Sequence, residues 1–259
     1  MLNIDGLRLV PKCQTKLACI HPALHWLNQC LLCAQPSSHF VCPYCIAHSG
    51  VLARRFLRHN LLDEHRYPTL HTVNFDCILV LDWYVYPWQR LIPLIKFHQA
   101  QHLTQTLAKW FYTLRLRHYY RAHSWPQALI PVPLHAKRLK QRGYNQTALL
   151  TKHLGTITQL PVVDHAAMRT KYTQAQSELT REARLANIEG AFSIDPHVLK
   201  EYQHIAIVED VLTTGATLNA LCKALYQVYP QLHITVWCMH IAVDQDVMDA
   251  FAAPSYACV

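Results

Sequence analysis

In the segment IAIVEDVLTTGAT, residues 205–217, two adjacent carboxylates, Glu209 and Asp210, close an apolar run and precede Thr213, Thr214, Gly215, Ala216 and Thr217. Adjacent acids repel each other. Their placement makes sense where they accept hydrogen bonds from vicinal ribose hydroxyls, directly or through Mg²⁺, because an ionised carboxylate is acceptor-only and suits hydroxyl donors or a hard cation. The TTGAT run supplies hydroxyls and bare amides where a helix begins, and the unpaired N–H groups and dipole of a helix N-terminus attract a dianionic phosphate. A helix capped by Asp and Thr is the plainer account of a lone T-x-x-T. An apolar strand, acid pair and TTGAT in this order favour a ribose-phosphate site. No G-x-x-x-x-G-K-[ST] occurs, which disfavours a P-loop ATPase.

A second chemistry is offered by Cys30-x-x-Cys33 and Cys42-x-x-Cys45. Two knuckles of two thiolates close a tetrahedral zinc site, and four protein ligands leave no open position, so the metal is structural rather than catalytic. Such a site contributes roughly 10–16 kcal/mol to folding its segment. The alternative is a set of free buried cysteines. The knuckles are close together, so the expected module is a short zinc ribbon, with His39 and His48 as nearby spares or surface residues. Downstream, Arg54, Arg55, Arg58 and His59 form a basic run that suits nucleic-acid phosphates or an ordinary solvated helix face.

Two further segments carry charge. PVPLHAKRLKQRGYNQ, residues 131–146, places Lys137, Arg138, Lys140 and Arg142 just past a strand end, either to neutralise a pyrophosphate or as a solvated basic turn. Residues 169–192 are polar, rich in Arg and Gln, and almost without aliphatic periodicity. A flap closing over a charged substrate has this composition, and so does a solvated helix.

The elements that must position these groups follow from pattern. The chain has 259 residues, 51% hydrophobic, enough for one substantial core and a small appendage. CILVLDWYVY, residues 77–86, reads as a strand or hairpin. Leu103, Leu107, Trp110, Phe111 and Leu114 recur at helical spacing and predict a helix over 102–118 with that face on the core. Short buried runs at 128–134 and 160–163, a helix starting near Asn145, a strand over 204–208, a helix over 217–226 and a strand over 232–242 complete the pattern. Strands alternating with helices imply a parallel sheet with helices on both faces and a ligand beyond the strands' carboxyl ends. The expected division is residues 1–60, a zinc-binding module and basic linker, and 61–259, the α/β domain.

The formal net charge of +8 arises from few acids rather than many bases, since charged residues are 15% of the chain against a typical ~25%. That balance favours anionic partners but alone shows only a steering tendency. The N-terminal residues lack the apolar run of a signal peptide, and the most apolar stretch, at 77–86, is too short for a span of ~20 residues. The expectation is a cytoplasmic protein without membrane insertion, whose ten cysteines serve metal binding in a reducing compartment rather than disulfides.

Residues 205–217 resemble the phosphoribosyl pyrophosphate (PRPP) motif of the type I phosphoribosyltransferases, in which a hydrophobic strand, two acids and a T-x-G-x-T loop hold the ribose and its 5-phosphate. Beyond it, Lys96-Phe97, the V-P-L-H of 132–135, the R-G-Y-N-Q of 142–146, the polar run 169–179, the R-x-x-N-x-x-G-A-F run 184–192 and the loop itself resemble the ComF family of GntX-like competence proteins. With the cysteine module, that resemblance covers nearly the whole chain. It implies a type I phosphoribosyltransferase fold with an N-terminal zinc finger. It assigns Glu209 and Asp210 to the ribose hydroxyls and Mg²⁺, Val211, Leu212 and Thr213 to Thr217 to the 5-phosphate loop, Pro133, Leu134, His135, Arg138 and Arg142 to the pyrophosphate, and Lys171, Gln176 and Arg184 to a flexible loop. Glu209 stands where this family more often has Asp. Purine-specific transferases usually carry an Asp at the position of Thr213, so Thr213 weakens any claim of purine salvage.

The resemblance further implies a role in natural transformation, handling imported single-stranded DNA in the cytoplasm, with a helicase-like partner in some bacteria. Two alternatives remain at this point: a nucleobase phosphoribosyltransferase of salvage or biosynthesis, and a non-catalytic sensor of PRPP or a nucleotide. Whether pentosyl transfer occurs is open, because acceptor contacts come from variable loops and no general base is named.

Overall fold

The computed structural model describes residues 29–49, 58–64, 67, 70, 73–97, 101–171 and 190–252. The chain divides between Cys45 and Ile46 into two units. In the first, the described part is a knuckled ribbon: Gln29 and Pro36 form an antiparallel bridge, Leu31 N–H donates to the Phe40 carbonyl at 2.8 Å, and the helix α1, Pro43–His48, begins just before the boundary. The left-handed turn falls on Ala34, whose φ is 59°.

The second unit is built on four parallel strands in the order β1-β6-β5-β2: β1 Cys77–Trp83, β2 Ala128–Pro131, β5 His204–Leu212 and β6 His233–Ile241. β1 is buried along its whole length, which explains why residues 77–83, apart from Asp82, read as an apolar run rather than an alternating one. A separate antiparallel pair joins β3, Ala167–Arg169, to β4, Phe192–Ile194. The apolar run at 160–163 contributes only a single parallel bridge, Leu129 to Val162, at the edge of β2.

Both faces of the sheet are covered. On one, Leu218, Leu221 and Leu225 of the helix Ala216–Val228 join Ile205, Ile207, Ile234 and Val236 in the core. On the other, Phe111 of α3, Leu103–Phe111, meets Trp237 edge-on with centroids 6.2 Å apart. Helix Ala216–Val228 is α7, and the other α-helices among the described residues are α2 Trp88–Phe97, α4 Arg117–Tyr119, α5 Ala136–Arg142, α6 Gln146–Thr158 and α8 Gln245–Ala252.

Three local departures from the sequence pattern have physical causes. Between α3 and α4 the chain forms a π-turn, Tyr112–Leu116. The wider turn rotates the buried face, so Arg115 and Leu116 are buried where regular spacing would have placed Leu114. The expected basic turn past β2 is instead the helix α5, opened by His135, whose ring accepts the Lys137 N–H, and closed by Gly143 at φ 79°. Finally, β5 does not stop before the acids: Glu209 pairs with Cys238, Val211 with His240 and Leu212 with Ile241, so both carboxylates lie inside the strand, among its last four residues.

Candidate functional site

The carboxyl edge of the sheet gathers side chains from three connections. Asp210, on β5, is nearly buried and accepts from Lys96 Nζ at 2.9 Å and from Gln146 Nε2 at 3.1 Å, both on Oδ2. Its Oδ1 accepts the Val211 N–H at 2.7 Å. Lys96 comes from the last turn of α2, and that turn is anchored because the Tyr144 hydroxyl donates to the Ile95 carbonyl. Gln146 opens α6. Asn145 caps this helix by accepting the Thr147 N–H at 3.0 Å while its amide donates to the Val132 carbonyl at 3.1 Å. That double role fixes the start of α6 against the end of β2. Gln146 also receives Arg142 Nη1 on Oε1 at 3.2 Å, which extends the relay from Asp210 to a guanidinium.

The two acids ionise unequally. Burial would raise the Asp210 carboxyl, but the Lys96 cation and the donors from Glu209, Lys96 and Gln146 outweigh it and hold Asp210 below the usual range. Glu209 is pushed well above its range by burial first and the Asp210 charge second. Glu209 is held in place by accepting the Asp210 N–H on Oε1 at 2.8 Å. The two environments therefore drive the pair apart, Asp210 toward its ionised form and Glu209 toward its protonated one.

Cations surround this pair. Burial lowers the Arg142 pKa, Asp210 raises it and Arg138 lowers it. Burial and Arg138 likewise lower the pKa of Arg169, while Glu209 raises it. Arg138 thus lies within electrostatic reach of both arginines, as Asp210 does of Arg142 and Glu209 of Arg169. Arg169 stacks its guanidinium over Phe192 at 5.7 Å. At the end of β5, exposed Thr213 and half-buried Thr214 lead into Gly215, which takes φ 73° at the N-cap of α7 with no side-chain cap. The first-turn amides of α7 therefore have room for an external acceptor.

Of the sequence-predicted site residues, Asp210, Glu209, Arg138, Arg142 and the 213–217 loop come together at this edge. Pro133, Leu134 and His135 form the link from β2 to α5, where His135 acts as the helix cap. Leu212 buries its side chain in the core, and Val211 contributes its backbone to the strand. Lys171 extends from the end of β3 to within 3.5 Å of where a Cβ on Gly190 would stand. Gln176 and Arg184 lie outside the described residues, as do Arg54 and Arg55. Lys96, Gln146 and Arg169 are the site residues that residue-level reading passes over. Each belongs to a quoted motif, but only the strand order brings them to Asp210.

In the N-terminal unit the sulfurs of Cys30, Cys33, Cys42 and Cys45 all lie within 4.8 Å of one another, the only such group among the described residues. Cys33 Sγ and Cys42 Sγ are 3.8 Å apart, the separation that Zn–S bonds of about 2.3 Å give at a tetrahedral angle. Backbone N–H groups of Leu32 and Cys42 point at Cys30 Sγ at 3.4 and 3.3 Å. Burial raises the Cys30 thiol, but these amides and that of Cys33 outweigh it and bring the thiol down to about 7. The donor set fits a closed structural zinc site, with Cys30, Cys33, Cys42 and Cys45 as ligands. His39 and His48 are exposed and outside the group.

A parallel sheet with flanking helices, an acid pair on the strand before a glycine-capped helix, and a four-cysteine group in front define a type I phosphoribosyltransferase-like protein. The chain is 34% identical over 202 residues to competence protein F of Haemophilus influenzae, an alignment covering 75% of this chain and 83% of that protein, and it belongs to the ComF family. It is also 30% identical over 168 residues to the DNA utilization protein YhgH of Escherichia coli K12, covering 59% of this chain and 72% of the relative. No protein-family model matches the chain. Among solved structures, a hypoxanthine phosphoribosyl transferase of Trypanosoma cruzi is 18% identical at a TM-score of 0.31, over 54% of this chain and 64% of that one. A xanthine-guanine-hypoxanthine phosphoribosyltransferase of Helicobacter pylori is 13% identical at 0.30, over 66% and 99%. Scores this low leave the fold class to rest on the strand order and the site. No helix among the described residues is long and apolar enough to cross a membrane.

Proposed function

We propose that the protein binds PRPP with Mg²⁺ at the carboxyl edge of its sheet and serves natural transformation, handling imported single-stranded DNA in the cytoplasm. The observation that carries the reading is Asp210, kept ionised by Lys96 and Gln146 one short loop before the Gly215-capped helix. In this reading Asp210 and Glu209 accept from the ribose hydroxyls and face the cation, the 213–217 amides and hydroxyls take the 5-phosphate, and Arg138 and Arg142 neutralise the pyrophosphate. Lys171, Gln176 and Arg184 are assigned to PRPP as well. Residues 1–60 carry the zinc module and basic linker, and 61–259 the phosphoribosyl site. The names of the relatives, competence protein F and DNA utilization protein, support the cellular role, and a helicase-like protein is the partner to seek.

The test is calorimetric titration of the purified chain with PRPP and Mg²⁺, run beside a transformation assay, for wild type, Asp210→Asn and Cys42→Ser. Saturable binding that Asp210→Asn weakens at least tenfold, together with lost transformation, supports the reading; a wild type that takes up no PRPP overturns it. One observation favours a second reading, phosphoribosyl transfer to a nucleobase: burial and the Asp210 charge push the Glu209 carboxyl well above the usual range, the direction that suits a carboxyl to acid–base work. Pyrophosphate release across a panel of bases decides that, and binding without release leaves a sensor.

A further inference from the structure

The opposite, amino-terminal edge of the same sheet carries a surface that the site does not use. Past the π-turn the chain reads RLRHYYRAHSW, residues 115–125, with arginines, histidines and aromatic rings interleaved. Arg117, Arg121 and His123 are exposed. His118 is hard to protonate because of burial first and then Arg58, Arg121, Arg117 and Arg115. Arg115 is a buried strut that donates Nε to the Leu81 carbonyl at 2.9 Å. Arg117 and Arg121 are exposed neighbours of His118, and half-buried Arg58 lies within electrostatic reach of the same ring.

The rings beside this cluster are pre-arranged. Tyr119 and His123 stack at 3.9 Å with 3° between their planes, and His123 is tied down by its Nδ1 at 2.8 Å from the Tyr119 carbonyl oxygen. Tyr120 and Trp125 stack at 4.2 Å, and the Tyr120 hydroxyl accepts from Trp237 Nε1 at 3.0 Å, which anchors that pair to the core. A cleft of about 420 Å³ opens between Tyr119 and His123 on one side and His204 and His233 on the other. The nearby acids are engaged: Asp76 accepts from the Ile234 N–H at 2.7 Å and from the Tyr226 hydroxyl at 3.1 Å and faces His233, and Asp63 accepts from the Asn60 amide at 3.4 Å.

We propose that this edge, with Arg117, Arg121 and Arg58 around His118 and the Tyr119–His123 stack beside them, is a binding surface for single-stranded DNA. Cations spaced along a surface take successive phosphates, and exposed ring faces stack bases of any sequence. A duplex keeps its bases stacked inside and cannot use the rings. The choice of DNA rests on the competence reading above; the surface itself rests on the charge and ring geometry.

The test is fluorescence anisotropy of a labelled 30-nucleotide single strand titrated with the full chain at 50 and 200 mM salt, with PRPP titration of the same proteins. Arg117→Gln/Arg121→Gln is expected to weaken strand binding at least tenfold and to flatten the salt slope by about 1.4, about 0.7 for each phosphate left without its cation. His123→Ala is expected to weaken it about tenfold, and His123→Tyr to restore it. PRPP binding should be unchanged in all three. Thermal melts confirm folding, since all the substituted side chains are exposed. Variants that bind the strand as the wild type does overturn the surface, as does a preference for duplex over single strand. A wild type without strand binding at 50 mM salt overturns both the surface and the DNA half of the functional reading, whereas failed PRPP binding with intact strand binding overturns only the phosphoribosyl reading.

Discussion

The Lys96 ammonium lies 2.9 Å from the Asp210 carboxylate, with the two side chains 22% and 12% exposed. The contact joins the last turn of α2 to the acid that heads the candidate site, and Tyr144 and Asn145 fix the neighbouring backbone on both sides. A carboxylate so placed is desolvated enough to interact strongly with a ligand and charged enough to accept hydroxyl donors.

Removing that cation should therefore be felt in stability as well as binding. Asp210 has its folded pKa depressed, so its contribution is complete above the unfolded value near 3.9 and is lost as pH falls through the folded one. The pair lies between surface and buried cases, which sets the cost of Lys96→Met at about 1–2 kcal/mol at pH 7. Urea denaturation at pH 7 and pH 3 checks it: the gap between variant and wild type should narrow at the lower pH. Equal midpoints at pH 7 would show that the contact contributes nothing.

Zinc should leave a local signature. Four thiolates at tetrahedral spacing predict one zinc per chain by elemental analysis, lost together with proteolytic resistance of residues 29–45 in Cys42→Ser or after strong chelation. PRPP titration should survive, because every residue assigned to that site lies in the other unit. A metal-free wild type that resists protease equally well would rule the site out.

A buried histidine predicts acid sensitivity. His240 is fully buried against Trp88, centroids 4.6 Å apart, and neither ring nitrogen has a hydrogen-bond partner. Burial lowers its pKa to about 3, against an opposing pull from Asp210. Burial likewise lowers His204, to about 4, and shifts His102, His118 and His153 in the same direction. Unfolded imidazoles titrate near 6.5, so from there down to pH 3 the unfolded chain binds more protons. Stability is therefore complete above about pH 6.5 and falls below it, by up to about 1.4 kcal/mol per pH unit for one such histidine. Denaturation midpoints at pH 7.5, 6.5 and 5.5 should show His240→Phe with a shallower fall than wild type and little loss at pH 7.5, since no hydrogen bond is removed. An unchanged slope would assign the acid sensitivity to the other histidines.

What the residue pattern reveals and what it hides follow from range. The strand, acid pair and helix start at 205–217 are local, and period and turn chemistry place them within a few residues. The meeting of Asp210 with Lys96, Gln146 and Arg142 depends on β2 and β6 flanking β5, an order that no local pattern encodes. Helical spacing identifies the helix near 103 but assumes 3.6 residues per turn throughout, so it gives Leu114 the place that Arg115 and Leu116 occupy after the π-turn. Arg169 reads as part of a long polar run because its antiparallel partner, Phe192, is supplied from the far end of that run.

Gly215 offers the sharpest separation of scaffold from ligand. At φ 73° it opens α7 in the left-handed region, where a β-branched residue is strained by about 1–2 kcal/mol and Asn is tolerated. Gly215→Val should lower the unfolding free energy by at least that amount, since the position is also buried, while Gly215→Asn costs less because Asn tolerates the left-handed region. The Asn side chain, however, turns its own oxygen toward the first-turn N–H groups that the 5-phosphate is proposed to use. Gly215→Asn is therefore expected to fold as the wild type does yet bind PRPP at least tenfold more weakly, measured by parallel thermal melts and calorimetry. Full PRPP affinity in a stable Gly215→Asn protein would move the phosphate away from the α7 amides.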